Sequence, residues 1–428
     1  MQIHVVRPGQ SLFGIAQTYN VSVSEVIRAN ELTEPARLVV GQALVIPIVG
    51  SYYFVQRGDS LFLIARRFGI NPNELARINR IPPGQPLQVG LRLYIPPRPK
   101  RRAEFNAYVE PRGTTVSPAL QRSAREAAPY LTYLAPFSFQ INRDGSLQPP
   151  LLDNFPAIAR QNRVTMMMVV TNIEEGQFSA ELAHTFLANE TIQDRLLDNI
   201  METARRLNFR DIHFDIERVS PDDRELYNRF LRKAAARVHA AGYLISTALA
   251  PKTSAEQRGE WYTAHDYRAH GEIVDFVVIM TYEWGYSGGP AMPVSPIGPV
   301  RRVLQYAITE MPASKIMMGQ NLYGYDWTLP FRRGTTARAI SPQTAIDIAR
   351  RRNVAIQYDT TAQAPHFDYV DDAGRAHKVW FEDARSIQAK FNLVKELGLR
   401  GVSYWKLGLA FPQNWLLIED NFNVVKRT

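Results

Sequence analysis

Short apolar runs alternate with amphipathic stretches from about residue 105 to the end of the chain. The amphipathic stretches repeat their apolar residues at helical spacing, as in the segment from Ala180 to Leu207. The apolar runs predict eight strands, at Phe105–Val109, Leu131–Ile141, Val164–Thr171, Asp211–Glu217, Leu244–Ala250, Val274–Tyr282, Lys315–Tyr323 and Gly401–Leu407. Eight alternating strand and helix units predict an α/β fold, a closed (β/α)8 barrel of the TIM type. The long segment between strands seven and eight predicts an inserted β-hairpin subdomain that turns at 371–374.

The first hundred residues contain an internal repeat with a constant offset of 49 positions. Positions 5–47 and 54–96 align without a gap and share 16 identical residues of 43, which indicates a duplication. Within each copy, the apolar pattern, the serine helix caps and the turn glycines predict a strand, two helices and a strand (βααβ). The chain is therefore predicted to contain two modules, residues 1–49 and 50–97, then a basic proline-rich linker at 98–104 and the barrel at 105–428.

Charge and composition narrow the functions open to this chain. The net charge is +9, and residues 1–105 supply +7 of it from thirteen basic and six acidic side chains. This basic first part favours an anionic polymer as partner, either nucleic acid or a cell wall rich in carboxylate and phosphate. The absence of cysteine excludes disulfides, thiolate metal sites and a cysteine nucleophile. We expect no membrane span and no standard secretory signal, because no apolar run has the required length or position.

The predicted fourth strand carries an unusual row of ionisable residues. His213, Asp215 and Glu217 occupy every second position, and apolar residues lie between them. Residues two apart on a strand point the same way, so these three side chains are predicted to line the barrel interior. Active sites of such barrels lie at the C-terminal ends of the strands, which predicts Glu217 at the mouth. Buried charges need compensation, so a bare row of this kind indicates a site rather than a packing surface.

This strand resembles the active-site strand of family 18 glycoside hydrolases, whose pattern is D-G-x-D-x-D-x-E. Glu217 and Asp215 match its last two acidic positions, whereas His213 stands at the middle Asp. Arg210 and Asp211 replace the leading Asp-Gly. Three further segments, "MTYEWGY", "GQNLYGYDW" and "GVSYWKLG", resemble family motifs of strands six, seven and eight in the correct order. The resemblance covers essentially all of residues 105–428.

The resemblance to this family implies a reaction assisted by the substrate's own 2-acetamido group, without a second carboxylate nucleophile. Glu217 is then expected to be the general acid and base, Asp215 to hold the acetamido N–H and Tyr282 to orient its carbonyl. Other residues expected to contact the sugar, with Trp405 stacked beneath it, are Trp405, Glu283, His213, Asn321 and Tyr323. His213 either donates a hydrogen bond to Asp215 or only fills space. Neither a metal nor a cofactor is expected.

The two βααβ modules resemble LysM modules, which bind glycans that contain N-acetylglucosamine. The resemblance rests on "VRPGQSLFGIA" and "VQRGDSLFLIA" and on matching asparagine, glycine and proline positions later in each copy. It implies a glycan groove between the loop after the first strand and the loop after the second helix. The residues expected there are Gly9, Gln10, Ser11, Asn30, Gly58, Asp59, Ser60 and Asn79. The serines and asparagines can instead cap or brace the fold, and nucleic-acid binding is no longer expected.

Paired LysM modules on such a hydrolase, without a secretory signal, resemble the spore cortex-lytic N-acetylglucosaminidases of spore-forming bacteria. This resemblance implies cleavage of muramic-lactam-containing peptidoglycan after N-acetylglucosamine, during germination. It also implies a location in the spore coat or cortex region, or at the cell wall. Separately, we expect a monomer. Two alternatives stay open: a chitinase with chitin-binding modules, and a non-catalytic glycan-binding coat protein on the same fold.

Overall fold

The computed structural model describes residues 1–82, 85–259 and 261–427, so Thr428, the last residue of the predicted barrel, lies outside it. The elements of the first module are β1 (Gln2–Val5), α1 (Leu12–Tyr19), α2 (Val23–Asn30) and β2 (Ala43–Ile46). Those of the second are β3 (Ser51–Phe54), α3 (Leu61–Phe68), α4 (Pro72–Ile78) and β4 (Arg92–Ile95). The two strands of each module pair antiparallel. Both modules therefore have the predicted βααβ order.

Beyond residue 100, the chain alternates strands and helices. The strands are β5 (Arg101–Val109), β6 (Tyr133–Pro136), β7 (Phe139–Ile141), β8 (Leu147–Gln148), β9 (Thr165–Thr171), β10 (Ile173–Glu174), β11 (Gln177–Phe178), β12 (Asp211–Asp215), β13 (Leu244–Leu249), β14 (Phe276–Ile279), β15 (Ile316–Asn321), β16 (Gly324–Thr328), β17 (Arg338–Ile340), β18 (Gln357–Asp359), β19 (Ala364–Val370), β20 (Ala376–Trp380), β21 (Gly401–Trp405) and β22 (Phe422–Val424). The helices are α5 (Pro118–Ala127), α6 (Phe155–Gln161), α7 (Ala180–Leu187), α8 (Glu190–Leu207), α9 (Arg224–Ala240), α10 (Tyr267–Ile273), α11 (Ile297–Glu310), α12 (Pro342–Arg352), α13 (Ala384–Glu396) and α14 (Pro412–Asn421).

Eight of these strands close into a parallel barrel, which confirms the predicted fold class. The order around the barrel is β5, β6, β9, β12, β13, β14, β15 and β21, and β21 pairs with β5. Large apolar side chains fill the barrel interior, among them Tyr133, Met167, Phe276 and Met317. A second and larger core lies between the barrel and its helices. The barrel is therefore a packed scaffold, and only its mouth is free for chemistry.

Several predicted strand limits were wrong at the barrel mouth. The fourth and sixth strands end at Asp215 and Ile279, so Glu217 and Tyr282 lie beyond the sheet. The predicted strand Leu131–Ile141 is in fact two strands, β6 and β7, which both pair with β9 but in registers that differ by one residue. Apolar residues continue past each strand end because the loops at the mouth are packed, so the apolar pattern overestimates the strand length.

The predicted linker 98–104 was too long, because β5 begins at Arg101. The Arg101 guanidinium donates hydrogen bonds to the carbonyls of Gly398 and Leu399, both at 2.7 Å, just beyond α13. The short strand β22 also pairs with the first residues of β5. Part of the basic run is thus a structural cap on a helix end, where a positive charge is favourable.

An antiparallel sheet of five strands lies between the seventh and eighth barrel strands, in the order β17-β16-β20-β19-β18. Its strands β19 and β20 form a hairpin whose turn spans 371–375. The prediction named only a hairpin in this region, whereas the structure has a larger subdomain that includes α12. In the described ranges 1–82, 85–259 and 261–427, no helix has the length and hydropathy to cross a membrane.

Candidate active site

The alternating pattern of the fourth strand places its ionisable residues at the centre of the barrel. Ile212, Phe214 and Ile216 belong to the core between the barrel and the helices. His213 points the other way and contacts Tyr108 of the first barrel strand across the interior. Asp215 ends the strand, is 5% exposed, and precedes Glu217 by two residues. The sequence period of two is thus realised as an apolar outer face and an ionisable inner face.

The main chain of Glu217 is fixed by Asn172, which follows the third barrel strand directly. The Asn172 side-chain amide donates to the Glu217 carbonyl at 2.8 Å, and its oxygen accepts from the Glu217 N–H at 3.0 Å. The carbonyl of Ile216 lies 3.0 Å from Nε2 of His265, a buried residue of the loop after the fifth barrel strand. Contacts from two neighbouring loops therefore hold the backbone that carries Glu217 at the mouth.

Asp215 and Glu217 form an acidic pair that retains a proton near neutral pH. Burial raises the pKa of Asp215 to about 7. Burial and the repulsion of the Asp215 carboxylate raise the pKa of Glu217 well above its usual range. Asp215 Oδ1 is buried and has no hydrogen-bond partner among the described residues. The pair thus offers a carboxyl that can donate a proton and, beside it, a buried carboxylate oxygen that is free to accept a hydrogen bond.

Tyr282 lies in the loop after β14 and reaches the same acidic pair. Burial and the neighbouring Tyr108, Asp215 and Glu217 raise the pKa of its phenol well above the usual range. The phenol therefore stays neutral and remains a hydrogen-bond donor. Its ring lies against Gly319 of the seventh barrel strand, where an added Cβ would be 2.9 Å from Tyr282 Cε1. The glycine leaves the space in which the tyrosine ring is positioned.

We expect Gly319→Ala to destabilise the chain by about 1–3 kcal/mol and to lower activity, since the added methyl displaces Tyr282. The same methyl would also lie 2.5 Å from the carbonyl oxygen of Ile279, which is main chain and cannot easily move. Gly298→Ala in α11 is the matched control, because a Cβ there meets only the end of Arg302 at 3.8 Å. Thermal unfolding and kcat/KM report both effects, and equal stability of the two variants would contradict the prediction.

A chain of buried hydrogen bonds crosses the barrel floor beneath the acidic pair. His213 Nε2 lies 2.9 Å from the Tyr108 hydroxyl, and His213 Nδ1 lies 2.8 Å from Ser246 Oγ. Ser246 in turn donates to Asp211 Oδ1 at 2.7 Å. Burial lowers the pKa of His213 to about 3 and raises that of Asp211 to about 7. The imidazole is thus neutral, with both of its nitrogens engaged.

This arrangement corrects the two roles that the sequence left open for His213. Among the described residues, His213 forms no direct hydrogen bond with Asp215, because its two ring nitrogens are bonded to Tyr108 and Ser246. Simple space filling is also wrong, because the ring connects side chains of the first and fifth barrel strands. His213 therefore joins two barrel strands by hydrogen bonds in the interior, directly below the acidic pair.

Aromatic side chains form one wall of the mouth. Trp405 ends the eighth barrel strand, is half-buried, and packs edge-to-face on Phe137 at a centroid distance of 4.9 Å and on Tyr108 at 5.4 Å. The next residue, Lys406, forms an ion pair with Glu110. Phe137 and Tyr108 also contact each other edge-to-face at a centroid distance of 6.2 Å, so the three rings form one cluster that fixes the orientation of the indole.

Two of the remaining predicted sugar contacts lie together, and one does not face the cleft. The Glu283 carboxylate accepts hydrogen bonds from the hydroxyls of Tyr323 and Tyr325, the latter at 3.0 Å. Burial raises the pKa of Glu283, although both tyrosine donors oppose this effect. Asn321 is fully buried, and its amide donates to the Tyr323 carbonyl at 2.7 Å. Asn321 shapes the strand end, whereas Glu283 and its tyrosines line the mouth.

The predicted LysM residues serve as caps and braces within their modules. Ser11 and Ser60 cap α1 and α3 through hydrogen bonds from Gly14 N and Leu63 N. In each module the asparagine at the end of the second helix bonds the closing strand, as Asn30 does with Val45. The other predicted positions also bond within their modules or form turns. Gln10 accepts from Arg7 N, Asp59 accepts from Gln56 N, Asn79 bonds Leu75 and Tyr94, and Gly9 and Gly58 have positive φ in the turns.

Sequence reasoning missed the residues that hold the site in place. Asn172 could have been found, because it follows an apolar strand directly and barrel sites lie at strand ends. Tyr108, Ser246 and His265 gave no local signal. Their importance comes from contacts with strand four that span 33 to 105 positions of the sequence.

Comparisons with known proteins fit this geometry. A family model described as glycosyl hydrolases family 18 matches residues 107–410, and a LysM domain model matches 4–47 and 53–96. The chain is 65% identical over 429 residues to the cortical fragment-lytic enzyme of Bacillus subtilis (strain 168), and 55% identical over 429 residues to that of Bacillus anthracis; both matches cover 100% of each chain. The crystal structure of the Bacillus megaterium QM B1551 spore cortex-lytic enzyme SleL has a TM-score of 0.92 at 54% identity, and covers 100% of this chain and 99% of that one.

Proposed function

Because the chain belongs to glycosyl hydrolases family 18 and carries two LysM domains, we propose that it is an N-acetylglucosaminidase acting on spore cortex peptidoglycan. The full-length similarity to cortical fragment-lytic enzymes supports the choice of substrate. The observation that carries the proposal is the group formed by Asp215, Glu217 and Tyr282 at the mouth, in which burial keeps a proton on the acidic pair. We place the protein in the spore or at the cell wall, where such a substrate lies.

In the proposed reaction, protonated Glu217 donates its proton to the glycosidic oxygen as the bond to the leaving sugar breaks. The carbonyl oxygen of the substrate's 2-acetamido group attacks the anomeric carbon and forms an oxazolinium ion. Asp215 accepts a hydrogen bond from the acetamido N–H and offsets the positive charge, while the Tyr282 phenol donates to the acetamido oxygen. Glu217 then takes a proton from water, which opens the ring with net retention of configuration.

Glu283, a further carboxylate at the mouth, is poorly suited to act as a nucleophile. Glu283 already accepts hydrogen bonds from Tyr323 and Tyr325, and both would have to be broken. Its role is proposed to be substrate binding, together with those tyrosines and the Trp405 platform. Membership of family 18 assigns the role of nucleophile to the substrate's acetamido group, so the sugar at the cleaved bond is proposed to be N-acetylated.

The bond cleaved is tested by incubating the protein with cortex fragments that contain muramic lactam and identifying the new reducing ends by mass spectrometry. We expect N-acetylglucosamine ends, because the closed lactam ring of muramic lactam has no acetamido group to attack. Muramic ends would overturn the glucosaminidase proposal. Faster turnover of chitin oligomers than of cortex fragments would favour a chitinase, and binding without any product would favour a non-catalytic coat protein.

The pH dependence of kcat/KM is expected to be bell-shaped and displaced to higher pH than ordinary carboxyl groups would give. The active form carries one proton on the pair, so activity falls at low pH as Asp215 is protonated and at high pH as Glu217 loses its proton. Both pKa values are raised by burial, Asp215 to about 7, so both limbs move upward. An alkaline limb in the usual range of a solvated carboxyl, near 4.5, would contradict this.

Tyr282→Phe removes the proposed donor to the acetamido oxygen and keeps the ring against Gly319. We expect kcat to fall about 10–100-fold, with KM changed less than kcat, because a donor aimed at developing charge acts mainly in the transition state. Tyr286→Phe, in the same loop but half exposed, is the control and is expected to change little. Equal kinetics of the two variants would remove Tyr282 from the mechanism.

A further inference from the structure

An open cleft lies between the first LysM module and the catalytic domain. Helix α2 forms one wall, and α5, Tyr130 and α14 form the other. Its volume is about 410 Å³, within the roughly 300–1,000 Å³ of typical ligand sites. The charged and aromatic residues that line this interdomain cleft are Glu25, Arg28, Glu31, Glu126, Tyr130 and Trp415. Both domains are therefore needed to form it.

Buried hydrogen bonds join the two walls of the interdomain cleft. The side-chain amide of Gln413, at the start of α14, donates to Asn30 Oδ1 at 2.7 Å and to the carbonyl of Ala43 at 2.9 Å. Gln413 and Asn30 are both buried. Ala43 and Val45 of β2 also belong to the apolar core that surrounds the barrel. The cleft is therefore formed before any ligand enters it.

Two aromatic rings give the cleft an apolar surface. Trp415 and Tyr130 are each only half-buried, and their rings lie nearly parallel, at 17° and with centroids 6.2 Å apart. The buried Tyr404 packs edge-to-face on Trp415 at 5.7 Å and holds the indole in place. Half-exposed Trp and Tyr rings suit ligands with both apolar and polar groups, such as pyranose sugars, whose C–H faces pack on aromatic rings.

Three carboxylates lie in the same cleft. Glu31 directly follows α2, and burial together with the nearby Glu126 carboxylate raises its pKa. These two carboxylates are thus close enough to repel each other. Glu25 adds a third negative charge and Arg28 one positive charge, so the described lining has a net negative charge. Such a lining accepts hydrogen bonds from neutral donors and repels anions.

Glu31 also connects this cleft with the groove expected in the first module. It belongs to the loop after the second helix, which is one of the two loops that border that groove. Gly9, Gln10 and Ser11 of the other loop are exposed, so the groove is open to solvent. A glycan chain that passes Glu31 on leaving the groove therefore enters the interdomain cleft.

The second module differs in charge at the equivalent positions. Arg80 lies 49 residues after Glu31, in place of the carboxylate. Residues 1–49 contain three basic and three acidic side chains, whereas residues 50–97 contain six basic and two acidic ones. The second module is thus suited to an anionic stretch of polymer, and the surroundings of the cleft are suited to a neutral one.

We propose that the interdomain cleft is a further glycan-binding site, which α14 of the catalytic domain shares with the first LysM module and which takes an uncharged stretch of glycan. This inference rests on the proposed action on spore cortex peptidoglycan. A chain held in this site and in the module groove together is bound more tightly than by either alone, because the second contact is intramolecular.

The chemistry of the proposed substrate fits this site. In muramic lactam, the carboxyl group of the lactyl side chain forms an amide with the nitrogen of the same sugar, so it carries neither a free charge nor a stem peptide. A stretch of N-acetylglucosamine and muramic lactam is therefore neutral, and its hydroxyl and N–H groups can donate to the carboxylates of the cleft. Ordinary muramic acid adds a carboxylate or a peptide, which Glu31 and Glu126 would repel.

Charge reversal on the catalytic-domain wall tests the proposal in the full chain. Glu126→Arg is combined with Glu217→Gln, which keeps the bound polymer intact. Glu202→Arg on α8 is the control, with the same change of charge at an exposed position. Binding is measured by co-sedimentation with two insoluble polymers, cortex peptidoglycan and peptidoglycan that lacks muramic lactam. We expect Glu126→Arg to weaken binding to the first polymer about 5-fold or more and to the second less than about 2-fold, and the control to change either less than about 2-fold.

Equal effects of Glu126→Arg and Glu202→Arg would overturn the site, and an equal loss on both polymers would overturn its preference for an uncharged stretch. The assay measures binding alone. A chain that binds as expected but forms no products from cortex fragments would therefore contradict only the proposed glucosaminidase activity.

Removal of the aromatic surface gives a second test, which is read by hydrogen–deuterium exchange. A soluble hexamer of N-acetylglucosamine is the probe, and the first turn of α14 exchanges measurably because its amides lack intrahelical acceptors. We expect the hexamer to protect residues 126–130 and 412–416 in the Glu217→Gln variant. The further change Trp415→Leu, or Tyr130→Leu where the first lowers the melting temperature, is expected to abolish this protection.

Protection confined to residues 8–12 and 30–32 would refute the proposal, because the glycan would then stay within the module. A dimer of the free chain that Trp415→Leu dissociates, seen by sedimentation velocity, would also refute it, because the cleft would then belong to a second copy.

Discussion

Glu217→Gln is expected to lower kcat on cortex fragments by about 10³-fold, the largest effect of any single substitution in the site. Glutamine has nearly the same shape, so the main-chain bonds to Asn172 persist, but it can neither donate the proton nor activate water. The same residue acts in both half-reactions, so neither step proceeds. Reducing ends quantified by mass spectrometry at matched protein concentration measure the loss.

Glu283→Gln is the comparison for that experiment, because it makes the same chemical change in the same cleft. Its carboxylate is held by Tyr323 and Tyr325, and an amide oxygen can still accept their hydrogen bonds. We expect a rise in KM and a loss of kcat at least 10-fold smaller than that of Glu217→Gln. The reverse order, with both variants folded, would move the general acid to Glu283.

Asp215→Asn is expected to reduce kcat about 10²-fold and to change the pH profile as well. The loss of charge removes the partner of the oxazolinium ion. It also removes the repulsion that raises the pKa of Glu217, so the alkaline limb of kcat/KM should move to lower pH. An unchanged alkaline limb would mean that the two carboxyls do not interact.

The melting temperature of Asp215→Asn shows whether its loss of activity comes from misfolding. The pKa of Asp215 is raised in the folded chain, so its contribution is fully present below its unfolded pKa of about 3.8 and is lost as pH rises through about 7. Asparagine carries no such penalty. We therefore expect the melting temperature of Asp215→Asn, relative to the unaltered chain, to be higher at pH 8 than at pH 4, while activity stays low at both.

The sequence alone was sufficient to predict those features of the site that depend only on neighbouring residues of one strand. The period of two in strand four predicted the inward direction of His213 and Asp215, because side-chain direction in a strand depends only on position. Glu217 follows the end of the strand, and its main chain is held by Asn172 instead. The partners of His213 could not be predicted in the same way. Tyr108 and Ser246 are 105 and 33 residues away, and only closure of the barrel brings them to the imidazole.

The repeat shows what the sequence could not predict, which is how each module is placed relative to the barrel. Sixteen identities in 43 positions indicate two equivalent modules, and the structure has two modules of the same fold. Their different surroundings follow from a few departures, such as Ala43 where the second copy has Arg92. A small apolar residue can enter a core and an arginine cannot do so without a partner. The effect of this difference can be interpreted only when the structure shows that Ala43 packs against the core around the barrel.

The attachment of the first module also constrains the order in which the chain can mature. Asn30 is bonded by Gln413, so the first module is held by helix α14, which follows it by 383 residues in the sequence. The barrel likewise closes only when β21 meets β5, some 300 residues earlier. The second module needs no late segment for its own core. During synthesis we therefore expect the second module to fold first, and the catalytic domain and the first module to fold together only once β21 and α14 have left the ribosome.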